Sequence, residues 1–137
     1  MEVQRMANIA PEGFPHRCRE EVKIEGLTIP KNTLVVPLFA ELFRGNHWVD
    51  PDSFNPTRFL DEDSNVVKNE FFIPFSIGKR VCPGESLAKS ELFLFFSGLL
   101  QKFTLNPSDS NATLTDQYQP GATSIPLPFA TKIIRRY

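Results

Sequence analysis

Hydrophobic and polar residues follow one another along the first third of the chain in patterns that predict several short elements. Residues 2–6 are typical of a helix, which the prolines and the glycine within residues 10–15 bring to an end. Residues 22–29 alternate on both sides of Glu25-Gly26, which predicts a small hairpin. The β-branched and apolar residues 33–38 predict a short buried strand.

The remainder of the chain contains the strongest helical pattern. Residues 45–69 are polar with frequent turn sequences, which predicts a long surface excursion, and residues 71–84 are irregular and rich in glycine and proline. Residues 85–102 predict a helix that is apolar nearly all round from Leu92 onward. A helix of that kind is normally buried inside a protein larger than this one. Residues 131–134 are typical of a final strand.

The composition is that of a globular protein large enough to form one hydrophobic core. The chain has 137 residues, of which 41% are hydrophobic and 23% charged. Its net charge of −1 provides no general attraction to nucleic acid, so we expect no nucleic-acid partner. Cys18 and Cys82 are too few for a disulfide framework or a zinc quartet, although a single bridge between them stays open. The longest apolar run, Leu92 to Leu100, is shorter than the roughly 20 residues of a membrane-spanning helix.

The segment from Phe75 to Gly84 carries the candidate chemistry. Cys82 lies on a tight loop before the long predicted helix, whose free amide groups and positive dipole end would stabilise a thiolate. Its glycines let the backbone pass close to a bulky group, and Arg80 is placed to meet an anion. Cys82 taken alone favours a buried structural cysteine. A thiolate, a flat apolar partner and an arginine for carboxylates together favour a haem.

The order Phe-x-x-Gly-x-Arg-x-Cys-x-Gly over residues 75–84 matches every fixed position of the haem-binding signature of the cytochromes P-450, so the chain resembles that family. The resemblance implies that Cys82 is the axial ligand of the iron of haem b, and is catalytic in the sense that its thiolate tunes the iron. It implies that further residues of the same segment bind the cofactor, namely Phe75, Gly78, Arg80 and Gly84. The amino-acid sequence of residues 83–88 is most similar to that of the animal microsomal branch.

Two further matches occur in the order that the family uses. Glu2-Val3-Gln4-Arg5 is similar to its Glu-x-x-Arg helix, in which residues three apart are neighbours. Pro56-Thr57-Arg58-Phe59 is similar to the loop whose arginine engages that pair. The resemblance implies a buried network of Glu2, Arg5 and Arg58, with the structural role of locking the loop beneath the haem. Outside this context the pair is an ordinary surface pair and Arg58 a solvated residue.

The resemblance also suggests contacts with the haem propionates and the substrate. His16 lies where the family often has a basic residue at a propionate, and it is equally compatible with a partly exposed loop histidine. Arg80 is the other expected propionate contact, because the planar guanidinium can bond both carboxylate oxygens. Residues 9–14 and 124–129 would face a small hydrophobic substrate, with ordinary turn packing as the alternative.

The fold implied by the resemblance is mainly α with small antiparallel β-sheets. Residues 1–137 would form the C-terminal haem-binding part of a single cytochrome P-450 domain that is truncated at the N-terminus. The membrane anchor and the long helix crossing the distal face of the haem would then be missing. Because oxygen activation needs that helix, we expect the chain alone not to turn over substrate efficiently.

The implied activity is monooxygenation, in which one atom of dioxygen enters the substrate and the other leaves as water. Electrons would come from NADPH through a reductase, and the parent enzyme would lie on the cytoplasmic face of the endoplasmic reticulum membrane. An alternative is a non-catalytic haem-binding or interaction fragment, or the remnant of a truncated gene. The two hypotheses differ in whether an oxygen-dependent product is formed.

Overall fold

The computed structural model describes residues 1–109 and 117–137, which divide into two compact units. The first unit comprises Met1–Pro74 together with Pro120–Ser124. The second comprises Phe75–Gln119 and Ile125–Tyr137. Each is described by itself below.

The first unit combines two short helices with two small antiparallel sheets. Its helices are α1 (Glu2–Ala7) and α2 (Phe39–Arg44), and a 3₁₀ turn covers Pro56–Phe59. Its strands form two pairs, β1 with β4 and β2 with β3, and their bounds are β1 His16–Arg17, β2 Val22–Ile24, β3 Leu27–Ile29 and β4 Leu34–Val35. Helix α1 ends where Asn8 adopts a left-handed conformation and its N–H donates to the carbonyl of Gln4, an ending that asparagine tolerates well.

The hairpin of β2 and β3 confirms the prediction made from the alternating pattern. Ile24 pairs with Leu27 across a two-residue turn. Both turn residues have positive φ, 48° at Glu25 and 82° at Gly26, which is the backbone twist that favours tight hairpins. The sequence therefore specifies this turn through the glycine.

The core of the first unit is a cluster of aromatic rings. Phe39 and Phe43 lie one turn apart on α2 with their rings stacked, the centroids 6.0 Å apart. Phe59 and Trp48 are both buried and their ring centroids are 5.7 Å apart. Phe72 joins the two halves, with centroid distances of 6.0 Å to Phe43 and 5.1 Å to Phe59. Burial of such rings supplies both apolar contact area and geometric preference.

Residues 45–69 are mostly exposed, as predicted, but Trp48 and Phe59 turn inward and are only 4% and 3% exposed. The prediction for residues 33–38 is wrong. Residues 33–38 do not form a buried strand, since β4 has two residues and Leu34 is 58% exposed. Two strands of two residues each form a sheet that is too small for other elements to cover it.

The second unit contains the long helix and two further antiparallel pairs. A 3₁₀ turn at Gly78–Arg80 precedes α3 (Glu85–Lys102), which has the bounds predicted from the sequence. The strands β5 (Phe103–Pro107) and β8 (Thr131–Arg135) pair along their whole length, and β6 (Tyr118–Gln119) pairs with β7 (Ile125–Pro126). The final strand agrees with the prediction, whereas the sequence pattern predicts no element for the residues of β5.

Helix α3 carries its apolar residues on the surface of this structure. The exposed side chains are Leu92, Phe93, Leu94, Phe95, Phe96, Leu99 and Leu100. That this helix is buried inside a larger protein stays a prediction. Within the residues that the structure describes, no helix combines the length and the apolar character needed to cross a membrane.

Candidate functional site

Cys82 lies on the loop that leads into the N-terminus of α3. Its backbone N–H donates to the carbonyl of Phe75 over 2.9 Å, which closes the loop from residue 75 to residue 82. Its own carbonyl accepts from the N–H of Glu85 at 3.3 Å, at the first residue of the helix. The thiol is free and exposed. The loop therefore presents the cysteine sulfur at the start of α3.

Two residues with positive φ give this loop its tight course. Gly78 has a φ of +73° and Ser76 a φ of +65°. Such backbone is open to glycine at little cost and is strained for serine. A Cβ at Gly78 would meet no heavy atom within 4 Å, so this glycine is required by its conformation and not by crowding within the chain. The N–H of Val81 donates to the Gly78 carbonyl over 3.1 Å, which holds the 3₁₀ turn.

Gly84 has a different role, because its φ of −89° is open to any residue. A Cβ at this position would lie 3.8 Å from the sulfur of Cys82. Glycine therefore leaves the space beside the sulfur clear. It also occupies the N-cap of α3, so no side chain caps the helix there. Both features keep the thiol accessible to a flat ligand and to the positive end of the helix.

The other predicted residues of this segment flank the cysteine loop. Arg80 ends the 3₁₀ turn, is exposed, and forms no ion pair with any residue that the structure describes. Phe75 is half-buried, and the Nζ of Lys89 lies 5.8 Å from its ring centroid. Lys89 also pairs with Glu85 one turn earlier on α3. An exposed arginine and a phenylalanine thus lie on the same loop as the free thiol.

His16 belongs to the first unit, where it forms β1 with Arg17. It pairs with Val35 of β4 and is exposed. The neighbouring Cys18 is free, its N–H donates to the carbonyl of Thr33, and its carbonyl accepts from Asn32. The geometry of β1 leaves the His16 side chain available at the surface.

The three residues of the predicted ion network lie together in the first unit. The carboxylate of Glu2 accepts two hydrogen bonds from Arg5, each of 2.9 Å, one at each oxygen. The Nε of Arg58 donates to the same carboxylate over 3.1 Å. The backbone N–H of Asn55 adds a fourth bond, of 2.9 Å. Glu2 is 3% exposed and Arg5 is fully buried, so this is an interior network.

The two arginines also tie down the polar segment that follows α2. Arg5 donates to the carbonyls of Phe43, Pro51 and Ser53, and Arg58 donates to those of Val49, Asp50 and Ser53. These guanidinium groups satisfy backbone acceptors that in a sheet would be satisfied by a neighbouring strand. These bonds fix the course of residues 49–53, which stay largely exposed.

The hydrogen bonds to Glu2 decide its ionisation. Burial by itself would raise the pKa of Glu2, but the bonds from Arg5, from the Asn55 N–H and from Arg58 outweigh it and lower the pKa from 4.5 to about 2. Glu2 is therefore charged at any pH near neutrality. A charged carboxylate between two guanidinium groups is the electrostatic centre of the unit.

Sequence reasoning missed two participants of this network. The backbone N–H of Asn55 donates to Glu2, while the Asn55 side chain caps the 3₁₀ turn by accepting from Thr57. The ring of Trp48 lies next to both arginines, with its centroid 5.2 Å from Cζ of Arg5 and 5.8 Å from Cζ of Arg58. Backbone participation leaves no signal in a sequence. The only tryptophan of the chain, set in a polar segment, was a signal that could have been followed.

The two segments expected to face a substrate contact each other at their beginnings. The N–H of Ser124 donates to the carbonyl of Ile9 over 2.7 Å, and both residues belong to the first unit. Ser124 is buried, whereas Ile9 and Phe14 are exposed apolar residues of the earlier segment. The fold therefore joins one segment to the start of the other and leaves apolar side chains uncovered beside the junction.

Comparison with known proteins identifies relatives along almost the whole chain. The cytochrome P450 family profile matches residues 1–133. Cytochrome P450 2U1 of Bos taurus is 46% identical over 138 residues, covering 99% of this chain and 25% of that protein. Cytochrome P450 2B2 of Rattus norvegicus is 44% identical over 117 residues, covering 82% of this chain and 24% of that protein. Cytochrome P450 2K4 of Oncorhynchus mykiss is 48% identical over 107 residues, covering 77% of this chain and 21% of that protein.

These relatives are animal cytochromes P450 of the microsomal branch, as the amino-acid sequence after Cys82 indicated. The chain spans about a quarter of their length. The match includes both the cysteine loop and the Glu2–Arg5–Arg58 network, since all of these residues lie between positions 1 and 133. The chain belongs to the cytochrome P450 family.

Proposed function

We propose that this chain supplies the proximal haem-binding site of a haem-thiolate monooxygenase, with Cys82 as the axial ligand of the iron. The observation that carries the proposal is the free, exposed thiol of Cys82 on a loop closed by the Phe75 carbonyl, at the start of α3. A thiolate ligand pushes electron density toward a haem iron and favours cleavage of the O–O bond.

The residues around Cys82 fit a haem. Gly84 keeps the space beside the sulfur clear, and Gly78 presents open backbone with no crowding inside the chain. The exposed Arg80 supplies a planar donor for a propionate, and His16 is an exposed candidate for a second propionate contact. Cys82 would be the residue of this loop that holds the iron.

The chain's own groups have separate tasks in the proposed mechanism. The Phe75 carbonyl holds Cys82 in place by accepting from its backbone N–H, and the N-terminus of α3 would favour a negatively charged ligand sulfur. The Glu2–Arg5–Arg58 network fixes the segment of residues 49–58. By resemblance to the family, its role would be structural, locking the loop beneath the haem. Bound haem would supply the oxidising chemistry, placing one atom of dioxygen in the substrate and releasing the other as water.

The proposed substrate is a small hydrophobic molecule. The exposed apolar residues Ile9 and Phe14, beside the junction with Ser124, support this class because they would bind an apolar surface without offering charge. The electron donor of the parent enzyme would be an NADPH-dependent reductase, docking on the side of the cysteine. Lys79, exposed on the 3₁₀ turn, is placed to contribute a positive charge there.

The parent protein would have a mainly α fold with small antiparallel sheets, of which residues 1–137 form the C-terminal part. An N-terminal membrane anchor would hold it on the cytoplasmic face of the endoplasmic reticulum. The exposed apolar side chains of α3 support the view that further elements of the same fold cover this helix.

The test is the absorption spectrum of the haem-reconstituted chain, reduced and exposed to carbon monoxide. We expect a strongly red-shifted Soret band in the wild type and in Cys18→Ser, and its loss in Cys82→Ser. Cys18→Ser is the matched control because Cys18 is the other free cysteine and lies in the other unit. A band that survives Cys82→Ser, or no haem binding by the chain at all, would contradict the proposal.

A second candidate is a haem-binding fragment without catalysis, favoured by the exposed apolar face of α3. It predicts the same red-shifted band but no oxygen-dependent product. Since the chain alone is not expected to turn over substrate efficiently, the two are separated with an upstream-extended chain that includes the distal helix, loaded with haem and incubated with a reductase, NADPH and a hydrophobic probe substrate. Product that requires both oxygen and Cys82 supports the enzyme.

A further inference from the structure

Trp48 contacts more of the ion network than its position in a polar segment suggests. Its ring is 4% exposed and lies within 6 Å of two guanidinium carbons, 5.2 Å from Arg5 and 5.8 Å from Arg58. Its Nε1–H donates to the carbonyl of Leu42 over 2.9 Å, and its backbone N–H donates to Gly45. The indole is thus held at its edge by a backbone acceptor while its ring lies next to both cations.

The charges of the network do not balance without a further negative group. Glu2 brings one negative charge to the interior, and Arg5 and Arg58 bring two positive ones. The oxygen Oε1 of Glu2 is already shared by Arg5, Arg58 and the Asn55 N–H. Backbone carbonyls and the Met6 sulfur, which accepts from Arg5 over 3.0 Å, supply partial compensation, and the negative face of the Trp48 indole adds negative potential next to both cations.

We propose that Trp48 is a positioning residue of this network, whose ring electrostatically orients the guanidinium groups of Arg5 and Arg58 toward Glu2. Trp48 would then fix the direction from which Arg58 reaches both the carboxylate and the loop carbonyls. The bearing of this role on the haem site rests on the proposed function, whereas the role itself concerns only residues of the first unit.

An alternative account is that Trp48 serves as an apolar filler beside Phe59, whose ring centroid is 5.7 Å away. The two accounts differ in what they require of the ring. Packing needs its volume and its apolar character, while orientation of the arginines needs its π electrons. Replacing ring hydrogens by fluorine withdraws π density with almost no change of shape, so it separates the two requirements.

The chain contains a single tryptophan, so biosynthetic incorporation of fluorinated tryptophans changes Trp48 alone. The full chain is prepared with tryptophan, 5-fluorotryptophan and 4,5,6,7-tetrafluorotryptophan, and urea unfolding of each is followed by far-ultraviolet circular dichroism. We expect the folding equilibrium constant to fall with each fluorine, by on the order of tenfold for the tetrafluoro ring.

Other effects of fluorine act in the opposite direction. Fluorination makes the ring more apolar and its N–H a stronger donor to the Leu42 carbonyl, so packing and the hydrogen bond both predict equal or greater stability. A fluorinated chain as stable as the parent, or more stable, would overturn the proposal. The same series in Arg58→Met should show a smaller fall, and an undiminished fall there would likewise count against it. Because no haem is needed, failure of haem binding leaves the test intact.

Discussion

Replacing Glu2 by glutamine tests whether the buried carboxylate stabilises the first unit. The shift of the Glu2 pKa from 4.5 to about 2 corresponds to about 3 kcal/mol of stabilisation, at about 1.4 kcal/mol per pKa unit. Removing one partner of a buried ion pair typically costs about 3–5 kcal/mol, because the other charge is left without compensation. Glu2→Gln leaves Arg5 in that situation, so we expect a loss of about 3 kcal/mol at neutral pH.

The same shift predicts how the loss depends on pH. A pKa that is lower in the folded state than in the unfolded state stabilises the fold fully above pH 4.5. That contribution is lost as the pH falls from 4.5 towards 2. Glu2→Gln cannot take up this proton. The difference in stability between wild type and variant should therefore be largest above pH 4.5 and should vanish near pH 2.

Urea unfolding between pH 2.5 and pH 7 measures this difference. Emission from Trp48 reports on the site, since this buried ring lies over both arginines of the network. Glu62→Gln is the matched control, because Glu62 is exposed and its substitution should leave the acid dependence as it is in the wild type. If Glu2→Gln and the wild type lose stability in parallel from pH 4.5 downward, the reasoning is refuted.

Two further pairs of substitutions test the backbone of the cysteine loop and the aromatic core, each by urea unfolding. Gly78→Ala should destabilise the second unit by about 1–2 kcal/mol because of its positive φ. Gly98→Ala, inside α3 with nothing within 4 Å of the added Cβ, should stabilise the helix by about 0.5–1 kcal/mol. If both substitutions change the stability in the same direction, the conformational requirement for glycine at position 78 is contradicted. Phe43→Ala should cost about 3–5 kcal/mol, because Phe43 is fully buried and stacked on Phe39. Phe93→Ala should cost about 0.5 kcal/mol or less at a 71% exposed position, so equal losses would show that the core lies elsewhere.

The elements that could be predicted from the sequence are those in which local chemistry decides the structure. The hairpin turn at Glu25-Gly26 needs positive φ, which glycine provides, and α3 has a continuous helical composition over 18 residues. Strand β5 could not be found in this way. Its five residues are strand because they pair with β8, about 25 residues later in the chain. Non-local pairing of that kind leaves a weak local signal.

The residues of the candidate site likewise differ in how far the sequence predicts them. The cysteine loop is a contiguous segment, so the spacing of its fixed residues can be recognised in the sequence alone. The strain at Ser76 could not be anticipated, because serine at positive φ is an exception that only the closed loop imposes. The pair of Glu2 and Arg5 follows from helical spacing, whereas Arg58 could be added only through resemblance to a family. A contact between residues 56 positions apart has no periodicity to reveal it.

Residues 45–69 form a mostly exposed polar segment that still contributes two rings, Trp48 and Phe59, to the core. Polar residues and prolines predict exposure on the assumption that the backbone must turn to water for its hydrogen bonds. Here the side chains of Arg5 and Arg58 provide donors to five carbonyls of the chain between positions 43 and 53. With its acceptors satisfied from within, the segment can place Trp48 and Phe59 in the core. The network therefore holds the segment in place through the two arginines. For this reason we expect Glu2→Gln to affect the aromatic core and the loop together.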